Sequence, residues 1–237
     1  MTFISQSLTS VKHAFQDLFF PPICRHCQKV VDSPEKLPLI CQPCLNSLSD
    51  LPNEVSEVEI LNRIQPRFID DIWIAFRYDD VIRIMLHAIK YQQMPKLGFK
   101  AGAHIGRRFP QEIAKFRKSI VLPVPLHPIR RKEREYNQSL WIAKGIFNEF
   151  PENVLENVLV RSRYTSTQTK LTRQKRQKNV RNAFEISDHS VIAGKSIVLV
   201  DDVITTGATL NECARILKKA GAETVVGVAA ASPINEV

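Results

Sequence analysis

The stretch Ser196-Ile197-Val198-Leu199-Val200-Asp201-Asp202-Val203-Ile204-Thr205-Thr206-Gly207-Ala208-Thr209 carries more of the fold than any other part of the chain. An apolar run of strand length ends in two adjacent carboxylates, and a hydroxyl-rich turn with one glycine follows. Just beyond, Leu210, Cys213, Ala214 and Leu217 recur at helical spacing, so strand, turn and helix start lie in a row. A turn feeding a helix start presents backbone N–H groups and the hydroxyls of Thr205, Thr206 and Thr209 where the dipole favours an anion. Gly207 lets the backbone approach closely, and Ala208 adds no bulk. This is the composition of a monophosphate cradle. Asp201 and Asp202 would be repelled by the phosphate itself, yet they are suited to accept hydrogen bonds from vicinal ribose hydroxyls or to hold Mg²⁺. A plain helix cap and turn would account for one Asp and one Thr only.

Outward from this stretch, strand-like and helix-like segments alternate. Residues 72–78, 119–124, 158–161, 196–200 and 224–231 read as strands. Asp79 or Asp80 caps a helix on which Val81, Ile84, Met85 and Ala88 share a face, and residues 97–108, 139–150 and 210–220 read as further helices. Strands separated by helices imply an α/β fold with a largely parallel sheet covered on both faces, and such sheets bind ligands where strand C-termini open into loops. Residues 52–66 are polar and acidic and read as a connector, which divides the chain into residues 1–51 and 67–237. Cys213 falls on the apolar face of its helix and reads as a small buried side chain, not a nucleophile.

The other four of the five cysteines form Cys24-x-x-Cys27 and Cys41-x-x-Cys44 with thirteen residues between the pairs. This is the spacing of two knuckles closing a tetrahedral thiolate site, and it predicts a structural Zn²⁺ in an N-terminal zinc ribbon. Two disulfides are the alternative, disfavoured in a chain expected to stay in the cytoplasm with its thiols reduced. His26, inside the first pair, reads as an exposed knuckle residue.

No apolar run approaches the ~20 residues that span a bilayer, and no signal-peptide pattern precedes the cysteines. Ile4, Leu8, Val11, Phe15, Leu18 and Phe19 make an N-terminal amphipathic stripe that is read as packing against the protein, with a membrane surface as the alternative. The formal net charge of +9 is uneven: residues 1–70 hold 6 Lys/Arg against 8 Asp/Glu, leaving 27 against 16 in the remainder. Phosphorylated or polyanionic ligands are expected of the larger part. Residues 161–184 carry eight basic side chains and no acid: Arg161, Arg163, Lys170, Arg173, Lys175, Arg176, Lys178 and Arg181. Such a run suits either a small polyphosphate or the backbone of single-stranded DNA, with Tyr164 available for stacking. A solvated basic face is the plainer alternative.

The segment 198–209 resembles the phosphoribosyl-pyrophosphate (PRPP) signature of type I phosphoribosyltransferases. That resemblance implies Asp201 and Asp202 on the ribose hydroxyls and Thr205, Thr206, Gly207, Ala208 and Thr209 around the 5′-phosphate. Leu122-Pro123-Val124-Pro125-Leu126-His127-Pro128 with Arg130, Arg131 and Arg134 looks like the loop of that fold that holds pyrophosphate, Mg²⁺ being expected with PRPP or a nucleotide. By the same resemblance, the basic run corresponds to the loop that closes over the pyrophosphate. The resemblance narrows to ComF/GntX-like proteins on Phe20-Pro21-Pro22-x-Cys-x-x-Cys, on Arg134-Glu135-Tyr136-Asn137-Gln138, and on Thr169-x-Leu171-x-x-x-x-Arg176-x-x-Asn179-Val180. Tyr136 stands where that family often has Phe. Membership implies a role in natural competence, with single-stranded DNA, PRPP or a nucleotide, and other DNA-uptake machinery at the inner membrane as partners. It also implies a cytoplasmic protein placed peripherally at that membrane. A phosphoribosyltransferase using PRPP in nucleotide metabolism is the rival reading, although no base-recognition motif is visible.

Overall fold

Alternating apolar strands and helices dictate parallel pairing, and the computed structural model, which describes residues 21–31, 39–50, 53–163 and 180–233, shows it. Four strands, β1 (Asp71–Arg77), β2 (Ile120–Pro123), β5 (Ser196–Val203) and β6 (Thr224–Ser232), form one parallel sheet in the order β1-β6-β5-β2. Two shorter strands, β3 (Leu159–Arg161) and β4 (Phe184–Ile186), pair antiparallel in a separate ribbon. The chain divides into two compact units, residues 1–48 and residues 49–237.

Among the described residues of the larger unit the α-helices are α2 (Asn53–Arg63), α3 (Asp80–Tyr91), α4 (Pro95–Arg108), α5 (Pro110–Ala114), α6 (Pro128–Arg134), α7 (Gln138–Ile146) and α8 (Ala208–Lys219). β5 is an inner strand, and Ile197, Val198, Leu199 and Val200 are all essentially inaccessible. Ile197 and Leu199 join a core with Leu210, Cys213 and Leu217 of α8, Ile60 and Leu61 of α2, and Ile64 just beyond it. Val198 and Val200 point the other way by strand alternation, toward the face that packs against α7. Each such side chain adds about 1.5–3 kcal/mol of burial free energy, so the central strand holds both layers together.

The opposite layer is fixed by a close crossing of α4 and α7. A Cβ on Gly102 would lie 2.2 Å from the Ile142 carbonyl oxygen, and one on Gly145 would lie 2.1 Å from that of Phe99. Only glycine permits these backbones to touch.

The helix expected from Asp79 or Asp80 starts as read: Asp79 is the N-cap, and its carboxylate accepts from the Ile82 N–H at 2.8 Å. Val81, Met85 and Ala88 face inward. Residues 53–63 are not a bare connector. They form α2, whose last turn buries Ile60 and Leu61, with Ile64 buried just beyond, so a few apolar residues in an acidic stretch suffice to anchor it. Cys213 is fully buried in α8.

The smaller unit, in its described part, is a turn closed by Cys24 N–H to the Lys29 carbonyl (2.7 Å) and Val31 N–H to the Pro22 carbonyl (2.7 Å), followed by helix α1 (Gln42–Asn46) with Cys41 at its N-cap. The expected amphipathic stripe of residues 4–19 lies outside the described residues.

Candidate functional site

β2 and β5 are neighbours in the sheet, so their C-terminal ends open side by side, and the loops that follow them meet. Beyond β5 the chain turns at Gly207, whose φ of 69° and place against Ile64 favour a residue without a Cβ; an added Cβ would come within 2.6 Å of the Ile64 Cδ1. α8 then starts at Ala208, which aims its first N–H groups back at the turn. Beyond β2, His127 caps α6 by accepting the Ile129 N–H at 3.2 Å. The left-handed Glu135 (φ 66°) ends that helix, and Asn137 starts α7 while donating to the Val124 carbonyl at 3.0 Å. Arg134-Glu135-Tyr136-Asn137-Gln138 is therefore a hinge of caps that sets two helices beside the cavity. The Tyr136 hydroxyl donates to the Ile89 carbonyl, a bond that phenylalanine could not make.

Between these loops lies a cavity of about 250 Å³ lined by Asp201, Asp202, Thr205, Thr206, Gly207, Ala208 and Thr209. From other elements come Lys90, His127, Arg130, Arg134 and Arg161. Arg130 and Arg134, picked from the sequence, thus reach the cavity lining. Arg131 is turned to Glu156 at 3.3 Å and lines a different groove, with Pro123 and Pro125. Of the basic run, Arg161 lines the cavity and Arg163 donates to the Arg181 carbonyl at 2.7 Å. Lys170, Arg173, Lys175, Arg176 and Lys178, together with Tyr164, lie outside the described residues.

Lys90 and Ser139 are additions that no local pattern announces. Lys90, in the last turn of α3, brings its Nζ to 2.5 Å from Asp202 Oδ2. Ser139 donates to Asp201 Oδ1 at 3.1 Å, and the Asp202 N–H donates to the same oxygen at 2.8 Å. Burial, together with the adjacent Asp202 charge, raises the Asp201 carboxyl to about 7. Burial pulls the Lys90 ammonium downward, but the Asp202 carboxylate outweighs it and holds the lysine above its usual value. The pocket thus ties Asp202 into an ion pair with Lys90 and holds the Asp201 carboxyl near half-protonation at neutral pH. Burial shifts the Arg161 guanidinium down; its charge also lies over the Phe184 ring, 5.2 Å from the centroid.

In the smaller unit the Sγ atoms of Cys24, Cys27, Cys41 and Cys44 all lie within 4.8 Å of one another, and Cys27 and Cys41 are 3.5 Å apart. Tetrahedral Zn–S bonds of about 2.3 Å demand S···S edges of about 3.8 Å, so the four thiols are placed to hold a zinc ion. Burial raises the Cys24 thiol, but the backbone N–H groups of Cys27, Cys41 and His26 outweigh it and bring it down to about 6. Burial and the neighbouring thiols push Cys44 up. Four thiolates packed together need a cation, which a zinc ion bound there would supply. His26 is exposed, and its Nδ1 lies 3.4 Å from the Cys44 Sγ, so the knuckle histidine also faces the cluster.

The parallel sheet, the acid-acid turn and the cavity beside it define a phosphoribosyltransferase-like protein, and residues 136–232 match the phosphoribosyl transferase domain. Within that class the chain belongs to the ComF family. It is 28% identical over 213 residues to competence protein F of Haemophilus influenzae, covering 86% of this chain and 82% of that one. It is 30% identical over 155 residues to the DNA utilization protein YhgH of Salmonella typhi, where the match spans 62% of this chain and 66% of the relative. Competence protein ComFC of Streptococcus pneumoniae is 29% identical over 115 residues, about half of either chain. Among the described residues no helix is long and apolar enough to cross a membrane.

Proposed function

We propose that this chain serves natural competence or DNA utilization, binding a ribose 5-phosphate compound, PRPP or a nucleotide, in the cavity at the end of β5. On this reading the basic run of residues 161–181 tracks single-stranded DNA. The observation that carries the first part is the convergence of Asp201, Asp202 and the Thr205–Thr209 turn on one cavity of about 250 Å³ walled by Lys90, Arg130 and Arg134. The 5′-phosphate sits on the N–H groups at the start of α8, and the ribose hydroxyls meet the two carboxylates. Lys90 already occupies Asp202, so Mg²⁺ enters with the ligand's own phosphates and is not held by a free acidic pair. The competence and DNA role is taken from the names borne by the relatives. Other DNA-uptake components at the inner membrane are its expected partners.

Calorimetric titration with PRPP and Mg²⁺ tests the pocket. The parent should bind, and a combined Asp201→Ala and Asp202→Ala variant should bind at least tenfold more weakly, since hydrogen bonds to charged groups are worth about 1.5–3 kcal/mol each. Equal affinities would remove the sugar from this position.

A further inference from the structure

α6 (Pro128–Arg134) carries Arg130 and Arg134 into the wall of the phosphate cavity, yet little of its own sequence holds it together. It has 7 residues, and a helix that short is marginal in water without packing. None of its residues is buried, and Ile129, its one large apolar side chain, is 49% exposed. Arg130, Arg131, Lys132 and Arg134 stand against Glu133 alone, and no acidic side chain lies in the first turn to offset the dipole. The ends of the helix therefore decide whether it forms.

The N-terminal end depends on one ring. Pro128 has no N–H to satisfy, the His127 carbonyl accepts the Arg131 N–H at 2.9 Å, and the His127 Nδ1 accepts the Ile129 N–H at 3.2 Å. A ring nitrogen that accepts carries no proton, so the neutral ring is here the Nε2–H tautomer. An imidazolium has no lone pair, would turn a second N–H toward that of Ile129, and sets its charge against the positive end of the helix. Asparagine, by contrast, caps a helix without titrating. The charged groups that share the cavity with this ring are Arg130 and Arg134 of α6, Lys90 of α3, Arg161 of β3, and Asp201 and Asp202 of β5. At the far end of α6 the Gln138 Oε1 accepts from the Arg134 Nη1 at 3.1 Å, so the last turn has a tie of its own.

We infer that His127 is a positioning residue for the cavity: the lone pair of its neutral ring holds α6, and through α6 the Arg130 and Arg134 side chains, at the ligand, and protonation of the ring releases them. The inference rests on the phosphate-cavity reading above for the identity of the ligand, whereas the cap is a property of α6 itself.

Nitrogen-15 NMR of the full chain tests the cap, with His127→Asn and His127→Ala beside the parent. At pH 8 the parent ring should be the Nε2–H tautomer. As the ring takes up its proton between about pH 8 and pH 5, the Ile129 amide resonance should follow it and the helical shifts of residues 129–134 should fade, while in His127→Asn they should hold throughout. Both proteins share Asp201 and the other cavity groups, so the titration of those groups cancels in the comparison. An Nδ1–H tautomer at pH 8, a ring that stays neutral down to pH 5, or helical shifts that outlast its protonation would overturn the proton-sensitive cap. Ligand affinity is the second readout, taken at pH 8 because an added ring charge would itself favour an anion at acid pH. In calorimetry with ribose 5-phosphate, His127→Ala should bind roughly 2- to 30-fold more weakly than the parent, the effect of one lost cap, and His127→Asn should recover most of that loss. Equal affinities for the parent and His127→Ala, or no recovery with asparagine, would overturn the positioning role. If the parent binds no ribose 5-phosphate, the phosphate reading falls and the positioning role with it, while the cap stands or falls on the NMR result alone.

Discussion

Replacing Asp201 with asparagine should stabilise the larger unit at neutral and alkaline pH, even though it should damage ligand binding. The substitution keeps the side chain's shape and the oxygen that accepts from Ser139 and from the Asp202 N–H, and it removes the charge. In the folded protein burial and the neighbouring Asp202 raise this carboxyl to about 7, whereas an unfolded chain titrates near ~3.9. Between those values the folded state holds a proton that the unfolded state has released. Stability therefore falls as pH rises through the window and levels off above about 7. From pH 5.5 to pH 8, about 1.5 units of that window are crossed at about 1.4 kcal/mol each, so the parent should lose about 2 kcal/mol relative to Asp201→Asn. In a unit of this size that corresponds to a melting difference of roughly 4–8 °C that opens toward alkaline pH. Paired urea or thermal melts of the two proteins at pH 5.5, 6.5, 7.5 and 8 measure it, and effects common to both, including those of the cysteine cluster, cancel in the difference. A difference that stays flat with pH, or widens toward acid, would refute the assignment of a desolvated, proton-holding Asp201.

Metal analysis of reduced protein should return about one zinc per chain; Cys24→Ser or Cys44→Ser should lose it while the melting of residues 49–237 persists, and a zinc-free reduced sample would refute the ribbon. Gly145→Ala should cost about 1–3 kcal/mol in denaturant melts, because the new methyl meets the Phe99 carbonyl at 2.1 Å, and a loss under about 0.5 kcal/mol would show that the α4–α7 crossing can open. Changing Arg173, Lys175 and Arg176 together to alanine should flatten the slope of log affinity for single-stranded DNA against log salt by about two units, roughly 0.7 per lost phosphate contact. An unchanged slope would remove these side chains from the DNA surface.

The parts of the fold that were legible are those whose signal is local. The run from Ser196 through Thr209 shows strand, acids, turn and helix start consecutively, and the structure differs from that reading in carrying β5 on to Val203 and in starting α8 at Ala208 rather than Leu210. The sharp residues of the Arg134-to-Gln138 segment were also visible, but not their work: that Glu135 turns left-handed and Tyr136 reaches the Ile89 carbonyl depends on elements some fifty residues away. In sequence α2 reads as a connector because its apolar anchors, Ile60 and Leu61 with Ile64 just beyond, are sparse and sit at its end. β4 escaped because a strand of three residues has no periodicity to read, and its partner β3 lies across the basic run. Lys90 illustrates why a site is harder to read than a fold. Its helix was predicted, yet its pairing with Asp202 spans more than a hundred residues and exists only because β1 and β5 flank β6 in one sheet. Arg130, Arg131 and Arg134 were indistinguishable in sequence, and only the helical phase of α6 separates the two that line the phosphate cavity from the one that faces Glu156.

The central claim is that the turn between β5 and α8 is a seat for the 5′-phosphate of a ribose. A crystal structure of the protein soaked with ribose 5-phosphate tests it most directly. The account predicts phosphate density within hydrogen-bonding distance, about 2.7–3.2 Å, of backbone N–H groups in residues 205–209, with the ribose hydroxyls against Asp201 and Asp202. Phosphate found elsewhere, on Arg131 or on the basic run with the turn bare, would contradict it.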